Sequence, residues 1–318
     1  MLMRPLLRRG RLEEYLYLCV QRIVPANVGH GLNGKEMAAE NISYTDEELA
    51  GLKQVLYEIL GRVDDICRRH GLRYFVTGGT AIGAYFWESI LPWDDDVDVG
   101  MPRPDYERFL SIAQEELGDA YFLQTTDTEP HSLFYFAKVR KNGTLFEEWD
   151  FRHVHMHQGI YVDIFPFDRI PRQRWRERLQ YQAANLLNGL LIAKEIWQWE
   201  HCGRCQVDKP RPRGFLPCLA TRVLVTLLPK RVIVRMLHRV QTWYDGDETL
   251  TRCKNILTPT ERVDIDHVTH ARTVPLGPLR VYAPADLLGY LNEHYGQVRR
   301  DIPEEQRVSH RPARLKTK

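Results

Sequence analysis

The hydrophobic positions of this chain change period several times, and each change marks an element. From Leu49, the residues Leu49, Leu52, Leu56, Ile59, Leu60 and Val63 recur at three- and four-residue spacing, the period of an amphipathic helix. Thr45 stands ahead of them with Glu48 three residues on, a capping-box pattern. Gly71 follows His70, so the pattern predicts a helix over about 45–70. Tyr74-Phe75-Val76 fits a short strand, Gly78-Gly79 a tight turn, and residues 80–84 the first turns of a helix. Residues 105–117 return to helical spacing through Tyr106, Phe109, Leu110 and Ile112, with Gly118 as the stop. Strands are predicted at 121–124, at 133–139 and, after a hairpin-type Asn142-Gly143 turn, at 144–148. Residues 160–165 make a further strand, closed by Pro166. Residues 173–200 and 222–244 read as helices, the second interrupted by Pro229, on either side of a Pro- and Gly-bearing break. Short strands follow at 256–257, 267–268 and 279–282, and residues 284–295 form a last helix stopped by Gly296.

This alternation predicts an α/β (α+β) fold: a mixed sheet flanked by helices. Residues 1–43 read as an irregular or partly helical leader, with a helix over 12–24 and a loop over 27–34. A body spans 44–310 with a helical insertion at about 172–250, and 311–318 is a basic tail. The composition fits a globular protein: of 318 residues, 43% are hydrophobic and 27% charged. Lys plus Arg number 44 against 42 Asp plus Glu, a net charge of +2, which weighs against a dedicated nucleic-acid binder. Charge is concentrated locally instead. Residues 1–11 carry four arginines and no acid, and residues 307–318 are also basic. Solvated termini are the favoured reading, with peripheral contact to anionic lipid as the alternative. No apolar run reaches the roughly 18–20 residues of a spanning helix, and no secretory signal is evident. The expected setting is cytoplasmic, at most at the inner face of a membrane.

The acidic run Asp94-Asp95-Asp96-Val97-Asp98-Val99 changes the picture from fold to chemistry. In an extended strand, Asp94, Asp96 and Asp98 share one face. Three carboxylates on one edge repel strongly unless cations neutralise them, and hard oxygen ligands suit Mg²⁺ or Mn²⁺. Gly78 and Gly79 let backbone approach a phosphate closely, and their N–H groups with Thr80 at a helix start form an anion cradle. Asp163 is the lone acid of an apolar strand, a candidate general base or a further metal ligand. Lys138 and Arg140 share a strand face and are candidate phosphate or nucleotide contacts. Trp93, with Trp87, Tyr85 and Trp149, supplies ring faces for a cationic group. Asp168 reads as a turn cap. Two other clusters are weaker. His153, His155 and His157 alternate, but a polar strand or loop face is the favoured reading. Cys202, Cys205 and Cys218, with His201, could hold a structural Zn²⁺; reduced thiols are the favoured alternative.

The ordered set Gly78-Gly79-Thr80-Ala81-Ile82-Gly83-Ala84, Pro92 to Val99, Arg103-Pro104-Asp105-Tyr106, Phe136 to Arg140, Tyr161 to Asp168 and Tyr295-Gly296 resembles the LicD family of phosphotransferases, within the nucleotidyltransferase-fold superfamily. The resemblance covers about residues 44–310. It implies a metal-dependent transferase acting on a CDP-linked donor. The family includes enzymes that move phosphocholine onto envelope glycans, such as teichoic acid, lipopolysaccharide or capsule, and relatives that move ribitol phosphate. Phosphocholine is the first expectation, ribitol or glycerol phosphate the second, and a silent docking subunit in glycan assembly the third. The implied partners are the donor and a glycan or glycolipid acceptor. This chain departs from the family where an Arg-His pair and a glycine are usual: it carries Tyr85-Phe86-Trp87-Glu88-Ser89-Ile90-Leu91 instead. A basic contact to the donor phosphate is then either absent or supplied from elsewhere.

Overall fold

The computed structural model describes residues 44–151, 154–201, 223–303, 307 and 309–318. The expected leader helix and loop, His153, and Cys202, Cys205 and Cys218 lie outside these residues.

Helix α1 (Asp46–His70) begins where its cap dictates. The Thr45 hydroxyl accepts from the Glu48 N–H at 3.1 Å, and the Glu48 carboxylate accepts from the Thr45 N–H at 2.9 Å. It ends at Gly71, whose φ of +62° is the left-handed conformation that glycine adopts without a Cβ clash. Its apolar stripe, Leu52, Leu56, Ile59, Leu60 and Val63, is fully buried, and a single Leu→Ala change in such a stripe costs about 2–5 kcal/mol.

The chain then enters β1 (Phe75–Val76), α2 (Gly78–Phe86), β2 (Asp98–Pro102), α3 (Arg103–Leu117), β3 (Tyr121–Gln124), β4 (Ala137–Lys141), β5 (Leu145–Glu147) and β6 (Tyr161–Arg169). The main sheet has the order β1-β2-β6-β4-β3. All its neighbours are antiparallel except β2 and β6, which run parallel with Asp98 opposite Asp163. Helices α4 (Arg174–His201) and α5 (Lys230–Gln241) follow, then β7 (Arg252–Lys254), β8 (Arg262–Asp264), α6 (Ile265–Thr269), the hairpin β9 (Arg272–Leu276) and β10 (Leu279–Ala283), α7 (Leu287–Tyr295) and β11 (Arg314–Lys316). β7 extends the sheet at the far end of β6, and β8 pairs with β7. One core lies between α1, α3 and the sheet. A second lies between α4 and α5 and includes Leu187, Leu191, Ile233 and Leu237.

Several local expectations change for identifiable reasons. β6 runs through Pro166 to Arg169 because β4 has already ended opposite Ile164, so no neighbour on that side needs the missing N–H. β5 pairs with β11 at the end of the chain rather than folding back on β4, so part of the basic tail is a strand. Residues 133–136 are not strand; Phe134 and Phe136 pack by their rings instead. His267-Val268 lie in α6, and Ile256-Leu257 follow β7 in a turn, with Ile256 buried in the second core.

Candidate functional site

The site forms where β1, α2, β2 and β6 meet. Residues 94–97 are not strand, and β2 begins only at Asp98, so the expected single strand face does not exist. The carboxylates converge by another route. The Thr77 N–H donates to the Asp98 carbonyl at 3.1 Å, and the Asp98 N–H donates to the Thr80 hydroxyl at 2.9 Å. These bonds pin the acidic segment against the start of α2. Gly78 has φ +58°, and a Cβ there would lie 2.7 Å from Asp98 Oδ2. At Gly79 a Cβ would lie 2.7 Å from Asp94 Oδ2. Glycine is therefore required at Gly78, whose backbone is left-handed, while at Gly79 a Cβ would push the Asp94 carboxylate aside. Thr77, the N-cap, makes no side-chain cap bond.

Asp163 joins from β6, its N–H donating to the Val97 carbonyl at 2.9 Å. Its carboxylate meets Lys138 Nζ at 2.8 and 3.1 Å. Lys138 is itself buried, with its ammonium 3.5 Å from the Tyr161 ring centroid and 4.5 Å from that of Phe134. Burial raises Asp163 to about 6, with Lys138 opposing. Burial also raises Asp94 and Asp98 well above the usual carboxylate range, helped in each case by Asp96; Asp96 is raised by burial and by Asp95. Four carboxyl groups thus crowd one another with a single lysine ion-paired among them. That is a surplus of negative charge a divalent cation would relieve.

Two acids that motif reading left aside complete the surroundings. Asp95 is buried and accepts from Tyr44 OH at 2.7 Å, from the His310 N–H at 2.7 Å and from the Ser309 hydroxyl at 3.2 Å. His310 Nδ1 stands 3.6 Å from Asp95 and 3.9 Å from Asp96. Burial pulls His310 down, but the bond to Asp95 and the charge of Asp96 carry it above its ordinary value. Asp95, Asp96 and His310 present ligand atoms within 4.8 Å of one another, and among the described residues this is the grouping close enough to share a metal ion. Glu261 is buried and accepts from Thr77, from Tyr290 OH at 3.0 Å and from Asn255 at 3.3 Å, and its charge also raises Asp98. Nothing in the local sequence singles out Glu261. Asp95, which lies inside the acidic run, was the more legible of the two.

The other expected residues are placed differently. Arg140 is buried and donates to Gln124 Oε1 and the Gly159 carbonyl, both at 2.7 Å, so its guanidinium is engaged inside the fold. Asp168 is not a turn cap: it lies fully buried on β6 and takes a bidentate pair from Arg103 at 2.5 and 2.9 Å. His157 spends one nitrogen on Asn142 and the other on the Gly159 N–H, while His155 is exposed. Trp93 packs edge-on against Trp87 at 5.6 Å, with Arg307 4.7 Å from its ring centroid; Arg300 lies 5.8 Å from that of Trp87. The altered segment 85–91 thus meets Arg300 through Trp87, and Arg307 meets the neighbouring Trp93.

A mixed sheet with this acidic edge beside a Gly-Gly helix start belongs to a recognisable class. Residues 71–186 match the family described as LicD/FKTN/FKRP, nucleotidyltransferase domain. Over that stretch, about a third of the chain, this protein is similar to the LicD family. It is 32% identical over 120 residues to the lipopolysaccharide cholinephosphotransferase LicD of Haemophilus influenzae, a match covering 37% of this chain and 44% of that protein. It is also 27% identical over 85 residues to an uncharacterized protein of Rickettsia prowazekii, covering 24% of this chain and 32% of that protein. The chain spans less than half the length of these relatives.

Proposed function

We propose that this protein is a metal-dependent transferase that moves a phosphorylated small alcohol from a CDP-linked donor to a sugar hydroxyl of a cell-envelope glycan. The observation that carries the reading is the juxtaposition of Asp98 and Asp163 across the parallel β2–β6 pair, with Asp94 and Asp98 against Gly78 and Gly79. The donor set is all carboxylate oxygen, which fits Mg²⁺ or Mn²⁺ held by Asp94, Asp96 and Asp98. Such an ion, when bound, supplies neutralisation of the donor pyrophosphate and of the departing CMP.

The chain's own groups do the rest. The α2 terminus offers backbone N–H groups to phosphate oxygens. Asp163, ionised above about pH 6 beside Lys138, accepts the proton of the attacking hydroxyl. Phosphoryl transfer of this kind is chiefly positioning and charge stabilisation, and buried carboxylates on two adjacent strands provide a rigid frame for both. The relative of known activity makes phosphocholine the first donor to test. A second reading, ribitol or glycerol phosphate, is favoured by Arg300 and Arg307: guanidinium groups already face the tryptophan rings where a trimethylammonium would seat.

The experiment is release of CMP from CDP-choline, CDP-ribitol or CDP-glycerol with Mg²⁺ or Mn²⁺ and a glycan acceptor. Release with one donor, abolished in Asp96→Asn, is expected. Undiminished release in Asp96→Asn would remove the metal assignment, and no release with any donor would favour the silent docking role.

A further inference from the structure

We propose that the outer faces of α4 and α5 form a docking surface for an anionic lipid bilayer. Both helices bury one face in a shared core, through Leu187 and Leu191 on α4 and Ile233 and Leu237 on α5. On the opposite side of α4, Trp175, Leu179 and Leu186 fall on one stripe at four- and seven-residue spacing, and all three are exposed, Trp175 by 64%. Leu227, just ahead of α5, is exposed by 71%. Among the described residues, this is a concentration of large apolar side chains in water that a folded surface rarely leaves unpartnered.

The charge around them decides the partner. Arg174 and Arg176 are exposed beside the α4 stripe. Arg231, Arg235 and Arg239 recur every four residues on the outer side of α5. Asp127 lines the same concavity as Arg231 and Arg235, and Glu107 meets His238 at 2.9 Å, but no acid opposes the arginines among the described side chains of the two helices themselves. Glu177 is buried with Lys254 and Arg262, Glu195 is buried with Lys230, and α5 contains no acid. Among the described residues, no helix is long and apolar enough to cross a membrane, so the fit is to a surface. Indole and aliphatic side chains entering the acyl boundary beside arginines at anionic headgroups are the elements of interfacial binding.

Two basic segments of the chain complement this face poorly. Residues 1–11 bear four arginines and no acid, and residues 202–222 bear Arg204, Lys209, Arg211, Arg213 and Arg222 against Asp208 alone; residues 12–43, with Glu13, Glu14, Glu36 and Glu40 against Arg22 and Lys35, are the rival occupant within the chain. A second copy would bring the same positive charge.

The test is cosedimentation of the full chain with vesicles of phosphatidylcholine, alone or mixed with phosphatidylglycerol, at 0.15 M salt. Neither donor nor acceptor is present, so failure here leaves the CMP-release experiment untouched. Binding to the mixed vesicles alone is expected, weakening as salt rises. The double variants Trp175→Ser/Leu179→Ser and Arg231→Glu/Arg235→Glu should each lower it by about tenfold or more, with unchanged circular dichroism. Absence of binding to the anionic vesicles, or wild-type binding by both variants, would overturn the proposal. So would a dimer in solution that Trp175→Ser/Leu179→Ser dissociates, since the face would then belong to a second copy.

Discussion

Strand β6 carries two buried aspartates five residues apart, and they live under opposite conditions. Asp163 lies beside Asp98, and although Lys138 reaches it, it remains raised to about 6 among the carboxylates. Asp168 receives both arms of the Arg103 guanidinium from the start of α3. The excess acid at that end is Asp245, which burial and Asp168 push up to about 7, so its proton supplies what charge does not. One end of the strand is electrostatically settled and serves the fold. The other stores repulsion that only a bound cation or protons relieve. The same residue type on the same strand is thus electrostatically settled or strained according to its partner.

Asp98→Asn tests the contrast most severely. CMP release should fall by at least about 10³-fold, about 4 kcal/mol of barrier. The ion-free protein should nevertheless melt higher at pH 7.5. A carboxyl raised in the folded state contributes stability at low pH that is lost as pH rises through its folded pKa, so a neutral side chain removes a penalty. A lower melting temperature would break the comparison at this end. Asp168→Ala should do the reverse, losing about 3–5 kcal/mol in urea unfolding because Arg103 is left buried without its partner. Wild-type stability would break it at the other end.

The pH profile sharpens the contrast more gently. CMP release should decline as pH falls through about 6, where Asp163 takes up a proton. Lys138→Met should move that limb to higher pH, because burial raises the group and the ammonium opposes it; an unmoved limb assigns it elsewhere. The smallest effect is expected at Arg314, which is well exposed although it pairs bidentately with Glu147 at 2.6 Å. Arg314→Ala should leave the melting midpoint nearly unmoved, because solvent screens an exposed pair; a large drop would contradict that.

The parts of this molecule legible in sequence are those written in local period and local chemistry. The Thr45–Glu48 box, the α1 stripe and the Gly71 stop are all set within a few residues. The acidic run and Asp163 were readable as residue types, and one parallel strand pairing brings them together across 65 positions. What escaped depends on partners remote in the chain. Asp95 looks like its neighbours until Tyr44, Ser309 and His310 close on it from both sides. Glu261 has no motif, and its meaning comes from Thr77 and Tyr290. Arg140 carries a charge that suggested a ligand contact, whereas the interior claims it through Gln124 and Gly159. Charge pattern names the candidates, and packing decides which of them stay available.

The pairing of β5 with β11 has a consequence for how the molecule is born. Lys316 lies opposite Leu145, Arg311 reaches Glu48, and His310 and Ser309 bond Asp95. While a ribosome is still threading these residues through its tunnel, the nascent chain has every acid of the cluster but not the segment that orients Asp95. The wall of the acidic mouth is thus completed only after residue 316 emerges, and Asp95 gains its partners long after the acids around it have left the tunnel.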